Sequence, residues 1–362
     1  MTQIALISLA RRGGMIHFHA ELFNALTEIT PVVAIVSRDA AVSHYPHETR
    51  LLSVDLGKGA LGTFFNAINP FAWWKLSRTL KKSNADVFHI VASHEWNPLL
   101  AFFIKLMRKP FVFTIHDPEH HLGTPVYMKI SDAITASMAD LIIVLSRLGR
   151  EQLIKKGYAP NMIRQIPIGV YSFFSRHVSE PKAQEKMILF FGRIEPYKGL
   201  SILLKAFCQV SDSLPDWKLV IAGNGDMSEY ASLADHAQVE VINRYVGDEE
   251  VVGLMQRAMF VVLPYTEATQ SGVIPIAYAF ARTVIATDVG SLGETVQDGG
   301  TGFLIQPNNV DKLAQAILTL TGDIALCSRM GQAAYEFAHA ELAWEKIAQM
   351  YLTVYSEALQ HR

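Results

Sequence analysis

Ten short apolar runs, most of them followed by a polar or glycine-bearing loop and a segment of helical period, restrict this chain to parallel sheets wound by helices. Residues 4–9, 32–36, 87–91, 111–115 and 141–145 form one series of expected strands. Residues 187–191, 218–222, 259–263, 283–286 and 302–305 form a second. Two consecutive α/β units follow, each doubly wound. The polar stretch SRHVSEPKAQEK, 175–186, separates the two series and reads as a linker between domains at 1–174 and 187–340. In 341–362, Trp344, Ile347, Tyr351 and Val354 make one helical stripe with no strand after it, so this helix must dock on a layer already built, the first domain being the candidate.

A chain of 362 residues, 50% hydrophobic and 18% charged, has the composition of a globular protein and the length for two cores. Two cysteines, Cys208 and Cys327, make neither a disulfide framework nor a four-ligand zinc site. The opening MTQIALISLARRGG carries its arginines after the apolar run, the reverse of a signal peptide, and the apolar stretch NPLLAFFIKLM meets Lys105 too early to span a bilayer. A cytoplasmic protein, peripheral at the inner face of the membrane, is expected. Residues 1–170 carry 18 Lys and Arg against 12 Asp and Glu, and residues 171–362 carry 14 against 22. A basic first half suits an anionic partner, nucleic acid or a membrane surface.

Five motifs can carry chemistry. GRIEPYKG, 192–199, lies beyond a strand end and places Arg193 and Lys198 beside glycines, a pattern for a diphosphate or simply a solvated turn. GNGDMSE, 223–229, is a weak dinucleotide fingerprint because Ser228 replaces the third glycine, and a tight turn explains it better. RRGGMIHFH, 11–19, puts Gly13 and Gly14 where amides at a helix start approach an anion. TIHDPEHH, 114–121, is the densest titratable cluster; Pro118 breaks any metal-binding helix across it, leaving His116 as the candidate. In PYTEATQSG, 264–272, Glu267 emerges from a strand end ahead of Gln270, Ser271 and Gly272, either to face a ligand or to cap the following helix.

Taken in order, these motifs and the later VIATDVGSLGE resemble the retaining glycosyltransferases of family 4, over almost the whole chain. The resemblance implies an α/β GT-B fold, two Rossmann-like doubly wound domains facing across a cleft. It implies a nucleoside diphosphate sugar as donor, with Arg193 and Lys198 on the diphosphate and Gly13 and Gly14 letting the first domain's loop approach it. Glu267 would face the donor sugar, His116 would sit near the transferred sugar, and the backbone at Tyr245 and Val246 would line the base. The chain departs from the family at the second of its paired glutamates, where the spacing puts Pro275, which cannot bond the ribose, and at Ile168, where an asparagine is common.

The leaving diphosphate's charge would be met by two cations and helix-end amides, and with no Asp-x-Asp pair in the chain neither metal nor cofactor is expected. Transfer would keep the anomeric configuration. Residues 62–82 concentrate Phe64, Phe65, Phe71, Trp73 and Trp74 ahead of Lys75, Arg78, Lys81 and Lys82. Such a segment fits either a bilayer interface or a core under a basic helix face. The acceptor classes expected are a polysaccharide, lipid-linked or small glycoside, in polysaccharide or glycolipid assembly; in the first case the acceptor would be lipid-linked or membrane-associated, at an anionic membrane surface. Two other classes are a non-catalytic relative acting as a partner subunit, which Pro275 supports, and an oxidoreductase, which lacks its dinucleotide loop.

Overall fold

The computed structural model describes residues 2–11, 13–46, 49–119, 124–176, 178 and 180–360. The chain divides into two compact units, Met1–Ile168 with Trp344–Arg362, and Gly169–Ala343.

In the first unit seven described strands pair in parallel: β1 (Ile4–Ser8), β2 (Val32–Ser37), β3 (Leu51–Val54), β4 (Val87–Ile90), β5 (Phe111–Ile115), β6 (Leu141–Val144) and β7 (Ile163–Gln165), in the order β3-β2-β1-β4-β5-β6-β7. Register sets Ile7 opposite Ile35 on one side and Ile90 on the other. The inner strands are buried along their whole length because helices cover both faces, which is why they read as unbroken apolar runs. Side chains alternate across a strand. Phe88 and Ile90 of β4 join one core with Leu76, Leu80, Leu100, Ile104 and Ala136, from the helices Pro70–Ser83, Asn97–Leu106 and Val126–Met138. His89, between them, points the other way and bonds the Tyr355 hydroxyl at 2.8 Å. Tyr355 belongs to the helix Trp344–Gln360, whose stripe Trp344, Ile347, Tyr351 and Val354 is buried, and whose Trp344 ring meets Phe18 of the helix Gly14–Thr27 edge to face at 5.7 Å.

In the second unit six described strands, β8 (Met187–Phe191), β9 (Lys218–Gly223), β10 (Val239–Asn243), β11 (Phe260–Leu263), β12 (Thr283–Thr287) and β13 (Gly302–Ile305), run parallel in the order β10-β9-β8-β11-β12-β13. Their core joins Phe190, Ile221, Val262 and Ile285 to Leu203, Phe207, Leu313 and Ile317 of the helices Leu200–Val210 and Val310–Gly322.

Both units are therefore the doubly wound, Rossmann-like sheets expected. Three strands were not expected, β3, β7 and β10, and each is a sheet edge. The crossings between units lie at 168/169 and 343/344. The stretch 175–186, read as a linker, belongs to the second unit, where Glu185 takes hydrogen bonds from Arg257 at 2.5 and 3.1 Å and an ion pair from Lys218 at 2.8 Å. Among the described residues no helix is long and apolar enough to cross a membrane.

Candidate functional site

Each sheet reverses its winding once, and loops leaving the carboxyl ends of the two strands at that point form a ligand crevice. In the second unit these strands are β8 and β11, and the loops are GRIEPYKG and PYTEATQSG. Backbone contacts lock them together. Thr266 N–H donates to the Tyr197 carbonyl at 2.8 Å, and Gly199, at φ +68°, lies so near Pro264 that a Cβ would come within 1.8 Å of its carbonyl oxygen. From the neighbouring strand β9, Gly223 makes an equally close approach to Gly192, and Ile194 N–H donates to the Asn224 carbonyl at 3.0 Å. GNGDMSE is thus a tight turn packed under the first loop.

This clamp sets the cations. Lys198 is half-buried with its Nζ 3.7 Å from the centre of the Tyr265 ring and 5.2 Å from that of Tyr197, an ammonium held by aromatic faces. Tyr265 is itself 1% exposed and its hydroxyl has no described partner. Arg193 is 70% exposed and pairs with Glu195 at 3.6 Å. Glu267 is exposed and makes no hydrogen bond or ion pair to the described residues, nor does it cap the helix Val273–Ala279; Ser271 Oγ accepts from Val273 N–H at 3.2 Å instead. Gln270 keeps a buried Oε1 without a described partner, and Gly272 stands before the helix in an ordinary backbone conformation. Pro275 is buried in that helix's first turn, where a missing N–H costs no bond. Tyr245 is 58% exposed and Val246 buried, just beyond β10, two strands from β8.

In the first unit the winding reverses between β1 and β4. Gly13 adopts φ +83° and ψ −168°, a region nearly reserved for glycine, and starts the helix Gly14–Thr27 with no side-chain cap. A Cβ on Gly13 or Gly14 would meet nothing within 4 Å, so both leave open space at the helix start. Arg11 is drawn back, donating to the Gly57 carbonyl at 2.6 Å and to Thr63 Oγ1 at 3.2 Å. His116 caps β5 as a buried ring: Nε2 is 2.8 Å from the Val91 carbonyl, Nδ1 has no described partner, and Phe18 packs against it edge to face at 5.0 Å. Burial lowers its pKa, so with Nε2–H donating to Val91 the ring is neutral and Nδ1 is an acceptor. His120, His121 and Arg12 lie outside the described residues.

Sequence reasoning missed two supports. Tyr265 holds Lys198 from the loop after β11, a pairing no local spacing shows. Asp132, pushed up to about 6 by burial, accepts from Ser93 Oγ at 2.7 Å and so fixes the loop after β4; a carboxylate on the inner stripe of a helix was the available signal. In 62–82 the structure decides between core and surface residue by residue. Phe65, Phe71 and Trp74 are 49–62% exposed, while Trp73 is half-buried and donates its indole N–H to the Ala67 carbonyl at 2.8 Å.

Residues 13–171 match the family model of Glycosyltransferase Family 4, and residues 185–323 that of Glycosyl transferases group 1. An uncharacterised glycosyltransferase of Methanocaldococcus jannaschii is 27% identical over 223 residues, covering 60% of either chain. A D-inositol 3-phosphate glycosyltransferase of Streptomyces avermitilis is 34% identical over 191 residues, 48% of this chain and 40% of that protein. The chain thus spans about half the length of these relatives. The crystal structure of Anabaena HepE in complex with UDP and glucose superposes with a TM-score of 0.74 at 19% identity, covering 98% of this chain and all of that one.

Proposed function

We propose, from the premise that this chain belongs to the family 4, group 1 glycosyltransferases and has their GT-B fold of two Rossmann-like units, that it moves a sugar from a nucleoside diphosphate sugar to an acceptor hydroxyl with retention of configuration. The observation that carries this reading is the clamp at the crevice of the second sheet, which presents Lys198, Arg193 and Glu267 from adjoining loops. UDP in the Anabaena neighbour supports a nucleotide donor.

In this reading, Lys198 and Arg193 stabilise the charge that grows on the leaving diphosphate, where fixed cations act most strongly in the transition state. Lys198 is held in place by its aromatic partners; Arg193 closes onto the phosphate from solvent. Glu267 has no structural duty and faces the donor sugar. Gln270, Ser271 and Gly272 offer polar groups and amides beside it, Tyr245 and Val246 line the base, and Gly13, Gly14 and His116 keep the roles that the family implies. The leaving phosphate takes the acceptor proton, so no metal and no separate base is required. The acceptor is a polysaccharide, lipid-linked or small glycoside, and the exposed aromatics of 62–82 favour one held at an anionic membrane surface.

A thermal-shift series against UDP-, GDP- and ADP-sugars identifies the donor, since a ligand at 100 times its Kd adds roughly 2.7 kcal/mol of stability. With that donor, transfer continues in excess chelator and NMR shows a retained anomeric centre. Glu267→Gln leaves nucleotide affinity intact while kcat falls about 100-fold or more, as for a group felt in the transition state. Pro275, in place of the second glutamate, favours one rival: a partner subunit that binds donor without turning it over. Donor binding with no transfer to any acceptor class would decide for it.

A further inference from the structure

The first unit carries a layer of four helices whose outer side is apolar and whose charge has one sign. From the helices Gly59–Ala67 and Pro70–Ser83 and the turn between them, Phe65, Ile68, Phe71 and Trp74 stand 49–62% exposed. From Asn97–Leu106 and Val126–Met138, Phe102, Leu106, Tyr127 and Ile130 stand 53–67% exposed. The inner residues of the last three helices, Leu76, Leu80, Leu100, Ile104 and Ala136 among them, fill the core against the sheet.

Across the four helices there is one carboxylate, Asp132, and it is buried. Lys75, Arg78, Lys81, Lys82 and Lys129 make no ion pair to the described residues. Phe71 and Trp74 stack at 5.5 Å, Lys75 Nζ lies 4.5 Å from the Phe71 ring and Arg78 4.8 Å from that of Trp74. Rings beside cations on long stems suit a surface that is apolar within and anionic at its rim. Next to Trp74 opens a cavity of about 560 Å³ lined by Arg38, Asp55, Asn66, Lys75 and Arg78, three cations against one carboxylate.

We propose that this layer is a membrane-docking face: its outer side chains enter the acyl boundary of an anionic bilayer, and Arg38, Lys75 and Arg78 draw a phosphate-bearing lipid headgroup into the cavity. An anionic bilayer, apolar within and charged at its rim, complements both the cations and the apolar side chains between them; an acidic protein partner would leave brominated vesicles unbound. The inference rests on the membrane side of the proposed function and not on sugar transfer, so its test uses no donor.

Trp74 is the one exposed tryptophan; Trp96, Trp217 and Trp344 are buried and Trp73 is half-buried. The full chain is mixed with vesicles of phosphatidylcholine, alone or with about one-third phosphatidylglycerol, carrying brominated acyl chains. Binding is expected on the anionic vesicles, to weaken with salt, and to quench fluorescence that Trp74→Phe abolishes and Trp73→Phe retains. Lys81→Gln with Lys82→Gln weakens binding about thirtyfold, from two lost surface attractions. Arg38→Gln with Arg78→Gln weakens it further, because headgroup bonds go with the charge. Phe102→Ser with Ile130→Ser, folded by circular dichroism, weakens binding to the same vesicles at least about tenfold. Undiminished Trp74 fluorescence, equal binding to neutral vesicles, or a dimer that buries Trp74 without binding vesicles overturns the docking face. Equal losses from the two cation pairs overturn the headgroup site.

Discussion

Around the crevice of the second unit, backbone rests on backbone: Gly199 against Pro264, Gly223 against Gly192, and Gly290, at φ +59°, against Ala268, whose carbonyl oxygen an added Cβ would meet at 1.5 Å. Around that of the first unit the glycines touch nothing, and buried rings hold the frame instead: His19 bonded to Tyr45 and to the Leu6 carbonyl, His89 to Tyr355 and Thr114, His116 to Val91. Among the described residues the second unit has no buried histidine. Steric locks ignore protons and forbid added atoms, while hydrogen-bonded imidazoles tolerate the atoms and respond to protons. The two units should therefore fail under different insults.

The largest expected effect is steric. Gly290→Ala places a methyl on a carbonyl and forces a left-handed residue, so it should destabilise the second unit by about 3–5 kcal/mol, whereas Gly13→Ala, with open space around it, should cost about 1–3 kcal/mol of backbone strain alone. Urea unfolding of the two variants makes the comparison, and equal losses would break it.

Acid comes next. Burial lowers His19 to about 4, so the unfolded chain takes up its proton first; the stability that neutral His19 contributes is complete above about pH 6.5 and is lost as pH falls toward 4, roughly 3 kcal/mol in all. Asp132, raised to about 6, works in the opposite sense, its contribution being present at low pH and lost as pH rises through 6. For that reason the measurement is a difference: the stability of His19→Gln should depend on pH less steeply than that of the natural chain between pH 6.5 and 4, and parallel curves would show that His19 is not the sensitive group.

Smaller effects sharpen the picture within the second crevice. Lys198→Ala should cost roughly 1.5–3 kcal/mol of nucleoside diphosphate affinity, the range for a charged hydrogen bond, and Arg193→Ala less, because its exposed side chain must be ordered on binding. Calorimetric titration decides, and the reverse ranking would mean that the aromatic cradle does not preorganise Lys198. Least of all, replacing ribose by 2′-deoxyribose should cost under about 1.5 kcal/mol, since Pro275 offers no acceptor. A larger loss would reveal another ribose ligand.

Legibility followed burial. Every strand covered on both sides showed as an apolar run, while β3, β7 and β10 did not, because an edge strand is only half covered and needs no such run: the residues of β10 are intermediate or exposed throughout. The candidate residues Arg193, Lys198 and Glu267 were visible because strand ends in wound sheets place their loops at the crevice. What Lys198 rests on was not visible, since Tyr265 reaches it from the loop after β11, a strand that neighbours β8 in the sheet but is distant in sequence.

The same division holds for the whole chain. By itself the sequence determined what depends on neighbours along the chain: the alternation that forces two wound sheets, the glycines that must turn, and the stripe that makes 344–360 a buried helix. Tertiary structure decided what depends on neighbours in space: that this last helix completes the first unit, that 175–186 belongs to the second, and that Phe71 and Trp74 face outward while Trp73 turns in. Periodicity tells which side of a helix is apolar, but only the packed layer shows how much of that side the core has room to cover.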